Sequence, residues 1–216
     1  MINGYIFDMD GVLCDSEQFI AEAAIKMFKT CYQINVTAND FEPFIGMGED
    51  RYLGGVAEKY GITLQPEKDK TETYRLYAEV VKGQLNALPG VEKFIRELAS
   101  QKKRLAVATS ADEVKMKVNL KEIGLEIDIF DALVSGLEIK NKKPDPDIFI
   151  EASKRLNVPI NQCVVFEDAI NGVEAAKSAG AFCVGITSSF SGDELLDAGA
   201  DSIIQTFFDD IKLLEN

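Results

Sequence analysis

The sequence predicts an α/β protein built on a doubly wound parallel sheet, with an all-helical segment inserted after the first strand. Three observations carry that prediction. Short apolar, β-rich runs recur at 5–7, 105–108, 163–166, 182–186 and 202–204, and amphipathic stretches of crossover length accompany the later ones at 91–101, 112–123, 148–156 and 169–179. Residues 16–85, by contrast, read as helix after helix. The chain has 216 residues, which favours one domain carrying a modest insertion over two full domains.

Taken in order, Tyr5-Ile6-Phe7 is a continuous apolar run of the kind buried on both faces of a parallel sheet. Phe19, Ala23 and Met27, and later Tyr74, Tyr77 and Val81, recur at helical spacing, with glycine-bearing turns at Gly46, Gly48, Gly54-Gly55 and Gly61 between them. Leu88-Pro89-Gly90 closes this segment, and the alternation of strands and helices resumes. The expected division is a core domain of residues 1–15 and 86–216 and a helical cap of residues 16–85.

Composition narrows the function. The chain is 46% hydrophobic and 27% charged, ordinary for a globular protein with a real core. It carries 23 basic and 36 acidic side chains, a formal charge of −13, which opposes binding to nucleic acid or an anionic membrane. No stretch approaches the roughly 20 apolar residues of a membrane span. Cys14, Cys31, Cys163 and Cys183 sit singly among apolar neighbours, as expected of reduced core residues in a cytoplasmic protein. Histidine is absent, which removes Ser-His-Asp and Cys-His catalysis and histidine-ligated zinc. Carboxylates, hydroxyls, lysine and a hard metal are what remains.

Four segments have the residue types such chemistry needs. Asp8 and Asp10 flank Met9 where the first strand ends; side chains two apart in a strand face the same way, toward the crevice where α/β folds bind ligands. Two like charges there call for a cation or a shared proton; the alternative is an aspartate-rich turn capping a helix. Ala106-Val107-Ala108-Thr109-Ser110 is an apolar strand ending in hydroxyls, suited to phosphate oxygens or to a plain helix cap. In Lys143-Pro144-Asp145-Pro146-Asp147-Ile148-Phe149 two prolines stiffen the approach to a helix and single out Lys143; otherwise Lys140, Lys142 and Lys143 form a solvated basic loop. Cys163 to Phe166 is a second apolar strand ending in acids, Glu167-Asp168, followed by a helix start at Ala169-Ile170-Asn171-Gly172. Those acids suit an oxygen-liganded Mg2+, or simply favour a helix N-terminus.

In this order and spacing, DxDGV, the hydroxyl strand end, KPxPDIF and ED-x(3)-G resemble the haloacid dehalogenase superfamily of phosphotransferases. The helical insertion resembles the cap of its β-phosphoglucomutases and related sugar-phosphate phosphatases. The likeness spans essentially the whole chain. It implies Asp8 as the nucleophile forming an aspartyl-phosphate, and Asp10 as general acid to the leaving oxygen and then general base to water. It also implies Mg2+ held by Asp8, the Asp10 carbonyl and Asp168, with Glu167 as a fourth candidate, and Thr109, Ser110 and Lys143 on the phosphoryl group.

The chain departs from the β-phosphoglucomutase pattern in the cap. Ile20 stands where those relatives have a histidine. Their cap arginine falls at Glu49, with Arg51 close by, and their cap lysine near residues 71–75. An acidic loop at that point argues for hydrolysis over a mutase that must grip a second phosphate. The expectation is a phosphatase of a small phosphorylated metabolite, with Arg51 and Glu49 as substrate contacts in the cap, acting as a monomer or weak dimer. The alternatives are a phosphoglucomutase and a noncatalytic binding or regulatory domain. Dehalogenation is disfavoured by the presence of Asp10 and of the Glu167-Asp168 pair.

Overall fold

The computed structural model describes residues 2–45 and 48–209, without the side chain of Glu49. Its centre is a six-stranded, wholly parallel sheet in the order β3-β2-β1-β4-β5-β6. The strands are β1 (Gly4–Phe7), β2 (Arg104–Ala108), β3 (Ala132–Val134), β4 (Cys163–Glu167), β5 (Phe182–Ile186) and β6 (Ser202–Ile204). Every residue of β1 and of β4 is buried, so their apolar runs serve both faces of the sheet.

Alternation along the strands divides the core. Tyr5, Phe7, Val107 and Phe166 face one side, with α4 (Val91–Ser100) and α5 (Glu113–Glu122). There Phe7 stacks on Phe166 with ring centroids 4.9 Å apart. Ile6, Ala106 and Val165 face the other side, with α6 (Asp147–Leu156), α7 (Ile170–Ala179) and the short α8 (Gly192–Asp197). Helices on both faces make the sheet doubly wound, as expected. The strand order reverses between β1 and β4, which opens a crevice at their carboxyl ends.

Between β1 and α4 the chain forms α1 (Glu17–Tyr32), α2 (Glu49–Tyr60) and α3 (Pro66–Val80), with short 3-10 turns, and this is the inserted helical cap. Its apolar side chains, Ala23, Met27, Phe28, Tyr77 and Val81, are buried and continuous with the first face of the sheet. The segments entering and leaving it run side by side: Cys14 bridges to Ala87, and Leu88 N donates to Leu13 O at 2.9 Å.

The structure adds β3 and α8 to the elements expected. It also corrects one cysteine: Cys14, Cys163 and Cys183 are buried, but Cys31 is exposed. No helix among the described residues is long and apolar enough to cross a membrane.

Candidate active site

The first strand stops at Phe7, one residue short of Asp8. Asp8 N still donates to Phe166 O at 3.0 Å, so its side chain emerges beside the end of β4, where Glu167 and Asp168 follow. Beyond it the chain turns, Leu13 N donating to Met9 O and Gly11 N to Cys14 O, each at 2.8 Å. Asp8 and Asp10 therefore do not share a strand face as the period-two argument required. Both line the same cavity, but their carboxylates take different partners.

Lys143 Nζ donates to Asp8 Oδ1 at 2.6 Å and to Glu167 Oε2 at 2.8 Å, its side chain only 5% exposed. Asp8, Glu167 and Asp168 are buried and offer oxygens within 4.8 Å of one another. Burial raises the Asp8 carboxyl above its ordinary range against the pull of Lys143. Burial, with the Asp8 and Asp168 charges, pushes Glu167 up to about 8. Burial and Asp8 push Asp168 up to about 7, although Ser189 hydrogen-bonds it. Burial disfavours the Lys143 charge, but Asp8 and Glu167 outweigh it and hold the lysine above its ordinary range.

A raised folded-state pKa means that the folded protein holds protons the unfolded chain has already released. Stability of the metal-free protein is thus expected to fall as pH rises from about 5 to about 8, the window between the ordinary carboxylate values and those of Asp168 and Glu167. Thermal melts in chelator across that range check this, and added Mg2+ should flatten the slope at the alkaline end. A melt whose midpoint rises with pH contradicts it.

Two glycines of the motifs make room for these carboxylates. A Cβ on Gly11 would lie 1.9 Å from Asp168 Oδ2, and one on Gly172 would lie 2.1 Å from Glu167 Oε1. Gly11 also sits at φ +76°, where a side chain is strained. Gly11→Ala is expected to cost about 1–2 kcal/mol of stability and to lower activity by displacing Asp168. Denaturant melts and ester hydrolysis measure the two effects.

At the end of β2, Thr109 is buried and its Oγ1 accepts from Ala111 N at 3.1 Å. Asp112, not either hydroxyl residue, precedes α5 as its N-cap, which removes the plain-cap reading of Thr109 and Ser110. Both face a cavity of about 930 Å³ shared with Asp8, Asp10, Lys143 and Asp168. The cap contributes Ile20, Phe44, Ile45 and Tyr52 to its lining. Lys143 is set apart from the exposed Lys140 and Lys142, as the prolines indicated.

The cap residues expected to touch substrate fare differently. Arg51 does not line the cavity; its guanidinium pairs with Glu58 at 3.0 Å, two helical turns on, and lies 4.9 Å from the Phe44 ring centroid. Placed on α2 with a carboxylate in reach on the same helix, it is drawn along the surface. The side chain of Glu49, and Gly46 of the same turn, lie outside the described residues.

Three contributors escaped the sequence reading. Lys115 on α5, its side chain 4% exposed, donates to Asp10 Oδ2 at 2.8 Å. Ser188 and Ser189, after β5, hydrogen-bond Asp168, the former at 3.4 Å. A lysine or serine paired with a residue far away in the chain carries no local signal, except that Lys115 falls on the buried side of its helix.

Residues 5–186 match the family model of haloacid dehalogenase-like hydrolases, and the chain belongs to that family. A phosphorylated carbohydrates phosphatase of Thermotoga maritima is 36% identical over 202 residues, 93% of each protein. Protein SUPPRESSOR OF QUENCHING 1 of Arabidopsis thaliana, a chloroplastic protein, is 40% identical over 205 residues. That match covers 94% of this chain and 19% of the plant protein, so the chain spans about a fifth of that relative's length. Among solved structures, a β-phosphoglucomutase of Clostridium difficile superposes with a TM-score of 0.80 at 25% identity, covering 99% of this chain and 96% of that one.

Proposed function

We propose that this protein is a Mg2+-dependent phosphatase that hydrolyses a small phosphomonoester, a sugar phosphate or similar metabolite, through an aspartyl-phosphate on Asp8. The observation that carries the reading is the gathering of Asp8, Glu167 and Asp168 around the buried Lys143 at the crevice of the sheet. Fully ionised, three carboxylates and one ammonium leave two uncompensated negative charges, which one divalent cation cancels. Their all-oxygen donor set suits Mg2+. Asp8, Asp168 and the Asp10 carbonyl would hold the ion, with Glu167 as a fourth candidate. Bound there, it would supply charge neutralisation to the phosphoryl oxygens.

Asp8 attacks phosphorus and its new bond to phosphorus replaces the ester bond, while Asp10 gives a proton to the leaving oxygen. Water then attacks the aspartyl-phosphate, passes its proton to Asp10, and releases Asp8 and inorganic phosphate. Lys143 draws on transferring oxygens, and Thr109 and Ser110 donate hydrogen bonds to the phosphoryl group. The pairing of Cys14 with Ala87 supports division into a core of 1–15 and 86–216 and a cap of 16–85. The net charge of −13 and the free, buried Cys14, Cys163 and Cys183 support a reducing, cytoplasmic setting and no nucleic-acid partner. A monomeric or weakly dimeric state belongs to the same proposal.

Hydrolysis is favoured over mutase chemistry by where the cap's cations go. Arg51 pairs with Glu58, Lys59 with Asp40, Lys70 with Asp50 and Asp112, and Arg75 with Glu72 and Glu79. Among the described residues, the cations lining the cavity are Lys115 and Lys143, both from the core. Among the described residues, the cap therefore brings no cation to the cavity to grip a second phosphate. A panel of phosphate esters with Mg2+, including β-glucose 1-phosphate with a trace of the bisphosphate, tests the reading. Release of inorganic phosphate supports it, conversion to glucose 6-phosphate replaces it with the mutase, and silence across the panel favours a noncatalytic domain.

A further inference from the structure

We infer that Lys115 is a positioning residue for Asp10: it fixes the carboxyl plane and reserves one oxygen, Oδ1, to carry the proton that Asp10 delivers. The inference rests on the phosphatase reading and goes beyond it. Lys115 and Asp10 are 105 residues apart in sequence and meet in the lining of the cavity, with Nζ 2.8 Å from Oδ2. The other oxygen, Oδ1, is bonded by the Ser16 hydroxyl at the entrance to α1. The two partners come from different elements, α5 and the chain leading into the cap, and together they determine the orientation of the carboxyl group.

Their chemistry differs in a way that matters. An ammonium has donors only, so the oxygen it engages cannot point a proton at it. A hydroxyl donates or accepts, so Ser16 suits Asp10 as carboxylate and as acid. The proton thus resides on Oδ1 before the first step, moves to the leaving oxygen as the ester bond breaks, and is replaced from the attacking water as the aspartyl-phosphate opens. Lys115 keeps its proton throughout. Burial raises the carboxyl of Glu17, the first residue of α1, above its ordinary range, and the same ammonium counters that rise only in part.

The test is single-turnover alcohol release from three esters, p-nitrophenyl phosphate, phenyl phosphate and glycerol 3-phosphate, by wild type, Lys115→Met and Lys115→Arg. Leaving groups that need protonation should suffer most. For Lys115→Met, phenyl phosphate and glycerol 3-phosphate should lose on the order of tenfold more rate than p-nitrophenyl phosphate, with KM within about twofold of wild type. Lys115→Arg should recover most of the loss. Equal loss on all esters, or equal loss in the methionine and arginine variants, would mark a packing role and overturn the inference. A rise in KM at constant rate would make Lys115 a substrate contact and overturn it too. Should Lys115→Met fail to fold, Lys115→Leu, which likewise offers Asp10 no donor, gives the same comparison. A wild type inactive on every ester removes the phosphatase reading itself, whereas an active wild type with an unselective Lys115 variant removes only this inference.

Discussion

Asp8→Asn is expected to abolish hydrolysis of every phosphate ester, a fall in kcat of at least about 10⁴-fold, while the chain stays folded. An amide nitrogen or carbonyl does not attack phosphorus to give an acyl phosphate, and no neighbouring carboxylate takes over the position at the end of β1. The fold should survive because Asn retains an acceptor for Lys143, which donates to Asp8 Oδ1 at 2.6 Å in the wild type. Removing one negative charge also relieves Glu167 and Asp168, both raised in part by Asp8. The melting temperature in chelator should therefore hold or increase, as is common where charges are crowded for function. The increment produced by Mg2+ should shrink, because one of the gathered carboxylates is gone. Phosphate release and melts with and without Mg2+ read all three effects. Near-normal turnover would take the nucleophile's role from Asp8, and a collapsed fold would show that its contact with Lys143 is structural first.

How much of this was legible in the sequence depends on how local each signal is. β1, β2, β4 and β5 are apolar runs ending in polar residues, and the same strand ends that reveal the fold deliver Asp8, Thr109 and Glu167 to the crevice. β3 escaped because Ala132-Leu133-Val134 is too short to show a period and follows a 3-10 turn rather than a clear break. The spacing argument brought Asp8 and Asp10 to one cavity, but not by a shared strand face: the strand ends before either, and the turn through Gly11 separates their partners. Lys143 was visible because its prolines are local. Lys115 was not, since α5 buries Lys115 and Asn119 along with Met116 and Leu120, and a helix that buries polar residues has a blurred amphipathic pattern. Arg51 shows the converse limit: a cation near a glycine turn pairs with Glu58 on its own helix, a choice of partner that its position in the sequence does not announce.

Lys143→Met should show how far the cluster depends on its own ammonium. A side chain of similar length leaves little void, so the loss is mainly electrostatic: Asp8, Glu167 and Asp168 remain buried with no cation in contact. Breaking a buried ion pair by removing one partner costs about 3–5 kcal/mol when the other stays charged. The protein can avoid part of that by protonating the carboxylates, whose pKa values lie near 7 and 8 for Asp168 and Glu167 even with the lysine present. Without it they should climb further, so the folded state binds still more protons than the unfolded chain at neutral pH. The variant should thus be close to wild type in stability near pH 5 and fall away faster as pH rises toward 8. Mg2+ should restore more stability to the variant than to wild type, since it supplies the missing positive charge. It should not restore turnover, which we expect to fall by about 10³-fold, because in the proposed reaction Lys143 also draws on the transferring oxygens in the transition state. Lys140→Met, on the exposed part of the same loop, is the control and should change neither property. Melts across pH with and without Mg2+, read beside phosphate release, separate the two contributions. If Lys143→Met kept its turnover and a pH dependence no steeper than wild type, the lysine would belong to the solvated basic loop, and the cation alone would balance the carboxylates.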